Sequence, residues 1–233
     1  MYGRPQTSAH LAFLKEFSMF TDFILVRHGE TPYNQEHILQ GWIDTPLNEN
    51  GYRQAELTAE ILRNEPIDEA CYSDLQRAAE TARIILKHHP GVPSFPSRQL
   101  REWHLGILQN YSYAELNEIL PEYVKMLQTE MIEMAIPSGE SRKDFQKRIN
   151  RAFQELAERS PGKRILIVTH GGVLVRLYHF LGGEVPPDGK VPIPGNASVS
   201  RVRYDHERKI WSLIAWNQNY SPQSDSPAKP PAL

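Results

Sequence analysis

The sequence predicts an α/β protein, a three-layer sandwich in which helices flank a mostly parallel central sheet. Two short apolar runs, at 23–26 and 165–168, are typical of parallel strands that are covered on both faces. Segments with helical periodicity and capping residues lie between them, which is the alternation expected of this class. A chain of 233 residues is long enough to bury most of its apolar surface in one core.

The strand at 23–26 is followed by a predicted helix. This helix should run from about Asn48, a favourable N-cap, to Arg63. The spacing of its apolar residues places Leu57 and Ile61 on the inward face. It is one of the helices expected to flank the sheet.

A second strand and a second helix come next. Residues 70–72 form a short strand. Ser73 and Gln76 have the spacing of a capping box, in which two side chains satisfy the free N–H groups at the start of a helix. The helix that they open should end at about Lys87.

Two more capping signals occur in the second half of the chain, Ser112 with Glu115 and Ser141 with Asp144. Behind the second signal, apolar residues share one helical stripe. We assign this stripe to the core: Phe145, Ile149, Ala152, Phe153 and Leu156.

The ends of the chain set the expected domain boundaries. Residues 199–204 and 210–216 are predicted to form a terminal hairpin. A single domain is therefore expected over 22–217, preceded by an N-terminal extension at 1–21. Residues 218–233 are rich in proline and serine, a composition that cannot build a core and predicts a flexible tail.

Charge and composition exclude several classes of protein. The chain has 26 Lys+Arg and 28 Asp+Glu, a formal net charge of −2, which creates no field able to hold nucleic acid or an anionic membrane. One cysteine, Cys71, excludes an internal disulfide framework and a multi-cysteine zinc site. No apolar run is long enough to span a bilayer, and the first residues make a poor signal peptide. We expect a cytoplasmic protein with no nucleic-acid or membrane partner.

Two predicted strands end in nearly the same way, one in Arg-His-Gly and the other in Thr-His-Gly. Because ligands gather at the carboxyl ends of parallel strands, His28 and His170 should emerge at one edge of the sheet. A lone histidine after a strand is usually a polar residue that neighbouring backbone satisfies, but two in matching positions favour a site. The glycines that follow, Gly29 and Gly171, allow the backbone to approach a ligand closely or to adopt dihedrals that other residues resist.

Arg77 adds the chemistry of an anion site. It follows Ser73 by four positions and falls in the first turn of a helix, where N–H groups and the helix dipole favour an anion. Its guanidinium is a planar fork that matches phosphate, although arginines more commonly lie solvated on the surface. The presence of a second arginine, Arg27, favours the anion site over a solvated surface position for Arg77. Two arginines, two histidines and Asn34 together describe a cage for a tetrahedral dianion.

A set of short motifs occurs in order between about Phe23 and Tyr204. They are Arg27-His28-Gly29-Glu30-Thr31, Asn34, Gly41-Trp42-Ile43-Asp44-Thr45-Pro46-Leu47, Gln54-Ala55, Ser73-Asp74-Leu75-Gln76-Arg77-Ala78, Thr81-Ala82, Arg101-Glu102, Gly139-Glu140-Ser141 and Thr169-His170-Gly171. This ordered set resembles the histidine phosphatase superfamily, the phosphoglycerate mutase-like clan. The resemblance implies a phosphoglycerate mutase-like fold.

The resemblance also implies a phosphatase that hydrolyses a small phosphomonoester through a phosphohistidine. His28 would be the nucleophile, and it must be neutral to attack phosphorus. Its other ring nitrogen would need a hydrogen-bonded partner that fixes the tautomer, and a nearby backbone carbonyl is the simplest choice. Glu102 matches the proton donor of the family. A salt bridge from Glu102 to Arg101 or Arg98 is the alternative interpretation.

The remaining candidate residues would hold the phosphoryl group. Arg27, Arg77 and His170 are expected to bind its equatorial oxygens, together with Asn34. Three further residues of the same motifs are assigned to substrate binding: Gly29, Thr31 and Gly171. No metal site and no cofactor are predicted, because arginines already supply the charge that a metal would bring. The sequence leaves a homo-oligomer open.

Two alternative functions and one competing mechanism have to be weighed. Mutases of the same superfamily share the Glu102 region, but the segment from there to Gly139 is shorter than the mutase insertion, which favours water as the acceptor. A phosphate-binding module that has lost catalysis should lack His28 or Glu102. This sequence has both residues, which argues against such a module. Cys71 and Arg77 have the spacing of a cysteine-dependent phosphatase loop, but no glycine lies between them and Asp74 does. Cys71 is therefore expected to be a small buried strand residue.

Overall fold

The computed structural model describes residues 20–129, 134–183, 191 and 193–219. Six strands form one sheet in the order β3-β2-β4-β1-β5-β6. The strands are β1 (Phe20–Arg27), β2 (Glu69–Ser73), β3 (Ser94–Ser97), β4 (Arg164–Thr169), β5 (Val199–Asp205) and β6 (Ile210–Gln218). Strands β1 to β4 are parallel to their neighbours among themselves, and β5 and β6 are antiparallel. The predicted mostly parallel sheet and the predicted terminal hairpin are confirmed.

Helices cover both faces of this sheet. They are α1 (Pro32–Gln35), α2 (Glu49–Leu62), α3 (Gln76–Leu86), α4 (Tyr113–Ile119), α5 (Pro121–Gln128), α6 (Arg142–Arg159) and α7 (Gly171–Phe180). Alternate residues of β1 point to opposite faces: Phe23 and Leu25 pack with α6 and α7, whereas Ile24 and Val26 pack with α2 and α3. The predicted three-layer sandwich is therefore confirmed.

Helix α2 begins and ends close to the predicted residues, with Asn48 as its N-cap. Its inward face, however, was predicted wrongly. Leu57 and Ile61 are each 37% exposed, and the buried face instead carries small residues such as Ala55 and Ala59. Alanines allow the helix backbone to approach the sheet closely, so the face with the larger side chains is left outside.

The predicted capping box at the start of α3 is also wrong. Leu75 is the N-cap and makes no side-chain hydrogen bond there. The N–H of Gln76 instead donates to Asp44 Oδ1 at 2.7 Å. Ser73 is the last residue of β2, and its hydroxyl lies 2.7 Å from the ring of His170. The serine belongs to a contact between strand ends, not to the helix.

The two later capping signals are confirmed at Ser112 and Ser141, and every residue of the predicted stripe on α6 is buried. Strand β1 begins at Phe20, so only residues 1–19 of the expected N-terminal extension lie outside the described residues. Residues 220–233 of the expected tail lie outside them as well. Within the described ranges, no helix combines the length and apolarity needed to cross a membrane.

Candidate active site

Two neighbouring strands place the two histidines side by side. Strands β1 and β4 are parallel and in register, with Arg27 opposite Thr169, so the residues that follow them come together. The ring centroids of His28 and His170 are 5.1 Å apart, and both side chains are buried. The predicted meeting of the two imidazoles at one edge of the sheet is confirmed.

The two nitrogens of the His28 ring have different surroundings. Nδ1 lies 2.7 Å from the carbonyl oxygen of Gly29. Because a carbonyl only accepts, Nδ1 carries the proton and Nε2 keeps its lone pair. Burial, followed by the charges of Arg77 and Arg27, holds the pKa of His28 well below its usual value. The ring is therefore neutral, with a lone pair available at Nε2.

His170 is held by a different kind of partner. Its Nε2 lies 2.7 Å from the hydroxyl of Ser73, and both residues are fully buried. Its Nδ1 is buried and has no hydrogen-bond partner in the described part of the chain. Burial is the largest cause that lowers the pKa of His170 well below its usual value, and the charge of Arg77 acts in the same direction. This ring is neutral as well.

Arg77, the second residue of α3, points into the protein. It is fully buried, and its two terminal nitrogens donate to the carbonyls of Ile43 and Gly41 at 2.8 and 2.9 Å. Arg27 donates through Nη1 to the carbonyl of Pro194 at 2.6 Å. Burial lowers the pKa of both guanidinium groups, that of Arg77 to about 10, so both are cations at neutral pH.

Three buried nitrogens around His28 are left without an acceptor by the described residues. They are Nε of Arg27, Nε of Arg77 and Nδ1 of His170. A buried N–H group that lacks an acceptor destabilises the fold, so such groups are rare and call for an explanation. An oxyanion with several oxygens would satisfy them at once and would lie next to the free nitrogen of His28.

Glu102 lies at the same site. Its two carboxylate oxygens accept backbone N–H groups, one from Trp103 at 2.8 Å and one from Gly172, at the start of α7, at 3.0 Å. The negative charge of this carboxylate raises the pKa values of Arg27 and Arg77 against the effect of burial. The alternative salt bridge to Arg101 does not form, because Arg101 pairs with Asp74 at 2.6 Å.

The backbone around Glu102 is held by Arg148, a residue that the sequence analysis did not single out. Its Nε and Nη2 donate to the two carboxylate oxygens of Glu140, each at 2.7 Å. Its Nη1 donates to the carbonyls of Gln99 and Arg101, and its Nη2 also donates to that of Glu102 at 3.0 Å. The motif Gly-Glu-Ser at 139–141 was part of the resemblance, but nothing local marked the arginine that pairs with it.

The loop after His28 is shaped by side-chain hydrogen bonds. Thr31 caps α1, and its hydroxyl accepts from the backbone N–H of Asn34. The Asn34 amide oxygen accepts from the N–H of Thr31 and from Asn196, whose Nδ2 also donates to the carbonyl of His28. A contact from Asn34 to an anion would therefore use its Nδ2 donor. Asn196 was missed because nothing in its local sequence points to the loop.

The glycines after the two histidines were expected to let the backbone approach a ligand. In the structure, each instead leaves room for a neighbouring part of the protein. A Cβ on Gly29 would lie 2.5 Å from the carbonyl oxygen of Gly51 in α2. A Cβ on Gly171 would lie 2.6 Å from Ile193 and 3.3 Å from Nε of Arg27. Neither glycine has a positive φ. The close approach is to the protein itself, and a ligand contact at either glycine stays a prediction.

The competing cysteine mechanism is not supported by the structure. Cys71 lies inside β2 and is buried, as predicted. Burial raises the pKa of its thiol to about 11, so the thiol stays protonated at neutral pH. No group of three or more His, Cys, Asp or Glu that could hold a metal ion occurs among the residues described.

Comparisons with known proteins agree with the geometry. A family model described as "Histidine phosphatase superfamily (branch 1)" matches residues 23–219. Phosphoglycerate mutase-like protein 4 of Arabidopsis thaliana is 37% identical over 200 residues, which cover 84% of this chain and 85% of the relative. Metal-independent phosphoserine phosphatase of the same plant is 36% identical over 208 residues, covering 88% and 84%.

Solved structures share the fold. YhfR of Bacillus stearothermophilus superimposes with a TM-score of 0.76 at 29% identity, covering 85% of this chain and 97% of that one. Mycobacterial glucosyl-3-phosphoglycerate phosphatase Rv2419c gives a TM-score of 0.74 at 30% identity, covering 85% and 99%.

Proposed function

The chain belongs to the histidine phosphatase superfamily, and we propose that it hydrolyses a small phosphomonoester through a phosphohistidine on His28. The observation that carries this proposal is the set of three buried, unpaired nitrogens beside a neutral imidazole with a free Nε2. This arrangement suits a dianion whose phosphorus is in line with that nitrogen.

The first step transfers the phosphoryl group to the enzyme. The Nε2 lone pair of His28 forms a bond to phosphorus while the bond between phosphorus and the ester oxygen breaks. Glu102 acts as the general acid and gives a proton to the leaving alkoxide. Arg27, Arg77 and His170 bind the equatorial oxygens, where negative charge is spread in the transition state.

The second step releases phosphate. Glu102, now a carboxylate, takes a proton from water as the water oxygen bonds to phosphorus. The bond between phosphorus and Nε2 breaks, and its electron pair returns to the ring of His28. The backbone N–H groups of Trp103 and Gly172 fix the carboxyl group of Glu102 in both steps, because neither depends on a flexible side chain.

Names among the relatives support hydrolysis but do not fix the substrate. One relative is called a phosphoserine phosphatase and one structural neighbour a glucosyl-3-phosphoglycerate phosphatase. We assign this chain a small phosphorylated substrate and a cytoplasmic location.

Phosphoryl transfer of the mutase type is the second candidate, because other relatives are named phosphoglycerate mutase-like protein and probable phosphoglycerate mutase. Mutases must also bind the carboxylate of their substrate. The two arginines that contact the Glu102 segment, Arg101 and Arg148, are already paired with Asp74 and Glu140. Neither offers a free fork to a carboxylate, which favours the phosphatase.

The phosphohistidine is tested by trapping it. A Glu102→Gln variant given an aryl phosphate, whose leaving group needs no proton, should complete the first step and stall at the second. Mass spectrometry after a rapid quench should show one phosphoryl group on the peptide that contains His28, labile to acid and stable to alkali. His28→Ala with the same substrate is the matched control. An adduct that survives acid, or one that persists in His28→Ala, would show that another residue is the nucleophile.

The acceptor is tested by a screen of phosphorylated metabolites against wild type and His28→Ala. Release of inorganic phosphate and isomerisation of phosphoglycerate should be measured separately. We expect release with at least one metabolite and no isomerisation. Isomerisation faster than release would establish the mutase.

A further inference from the structure

We propose that Ser73 is a positioning residue that holds His170 in the Nδ1–H tautomer, so that His170 donates a hydrogen bond to the phosphoryl group. The identity of the acceptor rests on the proposed function. The tautomer itself rests only on the hydrogen bonds of two buried side chains.

The hydroxyl of Ser73 fixes the direction of the hydrogen bond to His170. This residue is fully buried, and its oxygen has two partners in the described structure, the backbone N–H of Leu75 at 3.4 Å and Nε2 of His170 at 2.7 Å. A backbone N–H can only donate. If the hydroxyl also accepted from the histidine, its own buried proton would have no acceptor among these partners, which is unfavourable. The hydroxyl proton therefore goes to the histidine, and Nε2 of His170 is the acceptor.

The position of the proton on the His170 ring follows from this hydrogen bond. A neutral imidazole carries one proton, and a ring that accepts at Nε2 carries it at Nδ1. The ring is neutral because it is buried close to Arg77 and Arg27, and a third positive charge there would be unfavourable. Nδ1 is the nitrogen that is buried without a partner, on a ring whose centroid lies 5.1 Å from that of His28. Its unpaired proton is therefore the donor that this ring can offer to an anion bound beside His28.

The two histidines use opposite nitrogens for their hydrogen bonds within the protein. His28 uses its Nδ1 proton on the carbonyl of Gly29 and presents a lone pair at Nε2. His170 uses its Nε2 lone pair on Ser73 and presents a proton at Nδ1. Attack on phosphorus needs a lone pair, whereas binding of a phosphoryl oxygen needs a donor. Two similar strand ends thus gain opposite functions from their partners, one a carbonyl and the other a hydroxyl.

The loss of the hydroxyl has a direct chemical consequence. Without Ser73, the His170 ring is free to take the Nε2–H tautomer, which would place the lone pair of Nδ1 against the oxygens of the anion. Hydrogen bonds to charged groups are among the stronger ones in proteins. We expect Ser73→Ala to weaken binding of inorganic phosphate and to lower kcat/KM, each about ten-fold.

Nuclear magnetic resonance of nitrogen-15 labelled imidazoles in the whole protein reads the tautomer directly. The signals of His170 are those that disappear in His170→Asn. In wild type they should show Nδ1 protonated and Nε2 unprotonated, and His28 should show the same protonation. In Ser73→Ala the His170 signals should shift towards the other tautomer while those of His28 stay unchanged.

Two variants separate positioning from packing. Ser73→Thr keeps the hydroxyl and should restore most of the phosphate affinity. Ser160→Ala removes another buried serine hydroxyl and should leave the tautomer and the activity unchanged. The carbonyl of Ser160 accepts from Thr21 at the start of β1, whereas His28 follows the end of that strand. Structural damage alone would lower activity in Ser73→Ala without a change of tautomer.

The inference is overturned if wild-type His170 carries its proton on Nε2, or if Ser73→Ala keeps the Nδ1–H tautomer. These outcomes differ from a failure of the proposed function. A protein without a phosphohistidine on His28 would contradict the catalytic proposal and leave the tautomer result standing. A wrong tautomer with an intact phosphohistidine would contradict only the role of Ser73.

Discussion

Arg148 and Arg77 are two arginines near Glu102 whose hydrogen-bond donors are used to different degrees. Arg148 is mostly buried and uses all five of its donors, on three carbonyls and both oxygens of Glu140. Arg77 is also buried, but its Nε has no acceptor among the described residues. Arg148 is also neutralised by Glu140, whereas Arg77 lies close to a second cation, Arg27. These differences favour a supporting role for Arg148 and, under the proposed function, an anion-binding role for Arg77.

The largest effect is expected at the unsatisfied arginine. Arg77→Lys should lower kcat/KM by about 10²–10³-fold, because an ammonium cannot donate to two carbonyls and to an anion in the same plane. The matched control is Arg83→Lys on the same helix, where the arginine is exposed and pairs with Glu80. Steady-state kinetics on one phosphomonoester would decide. Equal activity of Arg77→Lys and Arg83→Lys would contradict an anion-binding role for Arg77.

A smaller and different effect is expected at the satisfied arginine. Arg148→Lys should lower kcat/KM about ten-fold for alkyl phosphates and less for aryl phosphates. The reason is that kcat/KM reports the first step, in which displacement of Glu102 matters only when the leaving group needs a proton. It should also lower the free energy of unfolding by about 2 kcal/mol, since Glu140 and three carbonyls lose partners. Urea denaturation measures this change in the free energy of unfolding. Arg151→Lys, an exposed position on α6, is the control for both measurements.

The unsatisfied donors also predict stabilisation by ligand. Inorganic phosphate at about 100 times its Kd should stabilise the folded protein by about 2.7 kcal/mol, which raises Tm by about 5–10 °C. Because phosphate stabilises many proteins by exclusion from their surface, the response of Arg77→Lys has to be subtracted. An equal rise of Tm in both proteins would show that the pocket binds no phosphate.

The charges of the pocket should also set the pH profile. Burial, Arg77 and Arg27 lower the pKa of His28, so its active neutral form persists as the pH falls below 6.5. Arg77→Gln removes one of these causes and should move the acid limb of kcat/KM to higher pH. The substrate titrates near pH 6 as well, but equally for both enzymes, so the difference between the profiles reports the enzyme. A shift to lower pH would contradict the assignment.

The smallest effect is expected at the buried thiol. Cys71→Ser should keep kcat/KM within about two-fold of wild type, because a thiol with a pKa of about 11 supplies no thiolate at neutral pH. If Cys71→Ser lost its activity but unfolded at the same urea concentration as wild type, the result would support the cysteine mechanism.

Much of this molecule could be predicted from local patterns. Apolar runs marked β1 and β4, and their identical position before His28 and His170 predicted that the rings meet. Serine caps at 112 and 141 were found because the partner lies three residues away. The same reasoning failed at Ser73, where the spacing of a capping box coincides with a contact to a residue 97 positions later.

The remaining site residues depend on contacts between distant segments. Arg148 binds the Glu102 carbonyl across 46 positions, and Asn196 binds that of His28 across 168. Helix α2 illustrates the other limit: periodicity defined a face, but close packing of Ala55 and Ala59 decided which face is buried. Hydrogen-bond satisfaction is a property of the assembled fold, so local sequence could not reveal it.

The strand order has a consequence for biosynthesis. Strand β4 lies between β1, which ends just before His28, and β2, which ends at Ser73. The two earlier strands are therefore joined by a segment that is synthesised about a hundred residues after β2. Such late, long-range pairing is slow and leaves earlier strands exposed meanwhile. A ribosome-bound chain that stops before residue 164 contains β1 and β2 but lacks β4, the strand that lies between them. His28 and His170 can therefore meet only after β4 is made, and phosphate capture by stalled chains of increasing length would time the insertion of β4.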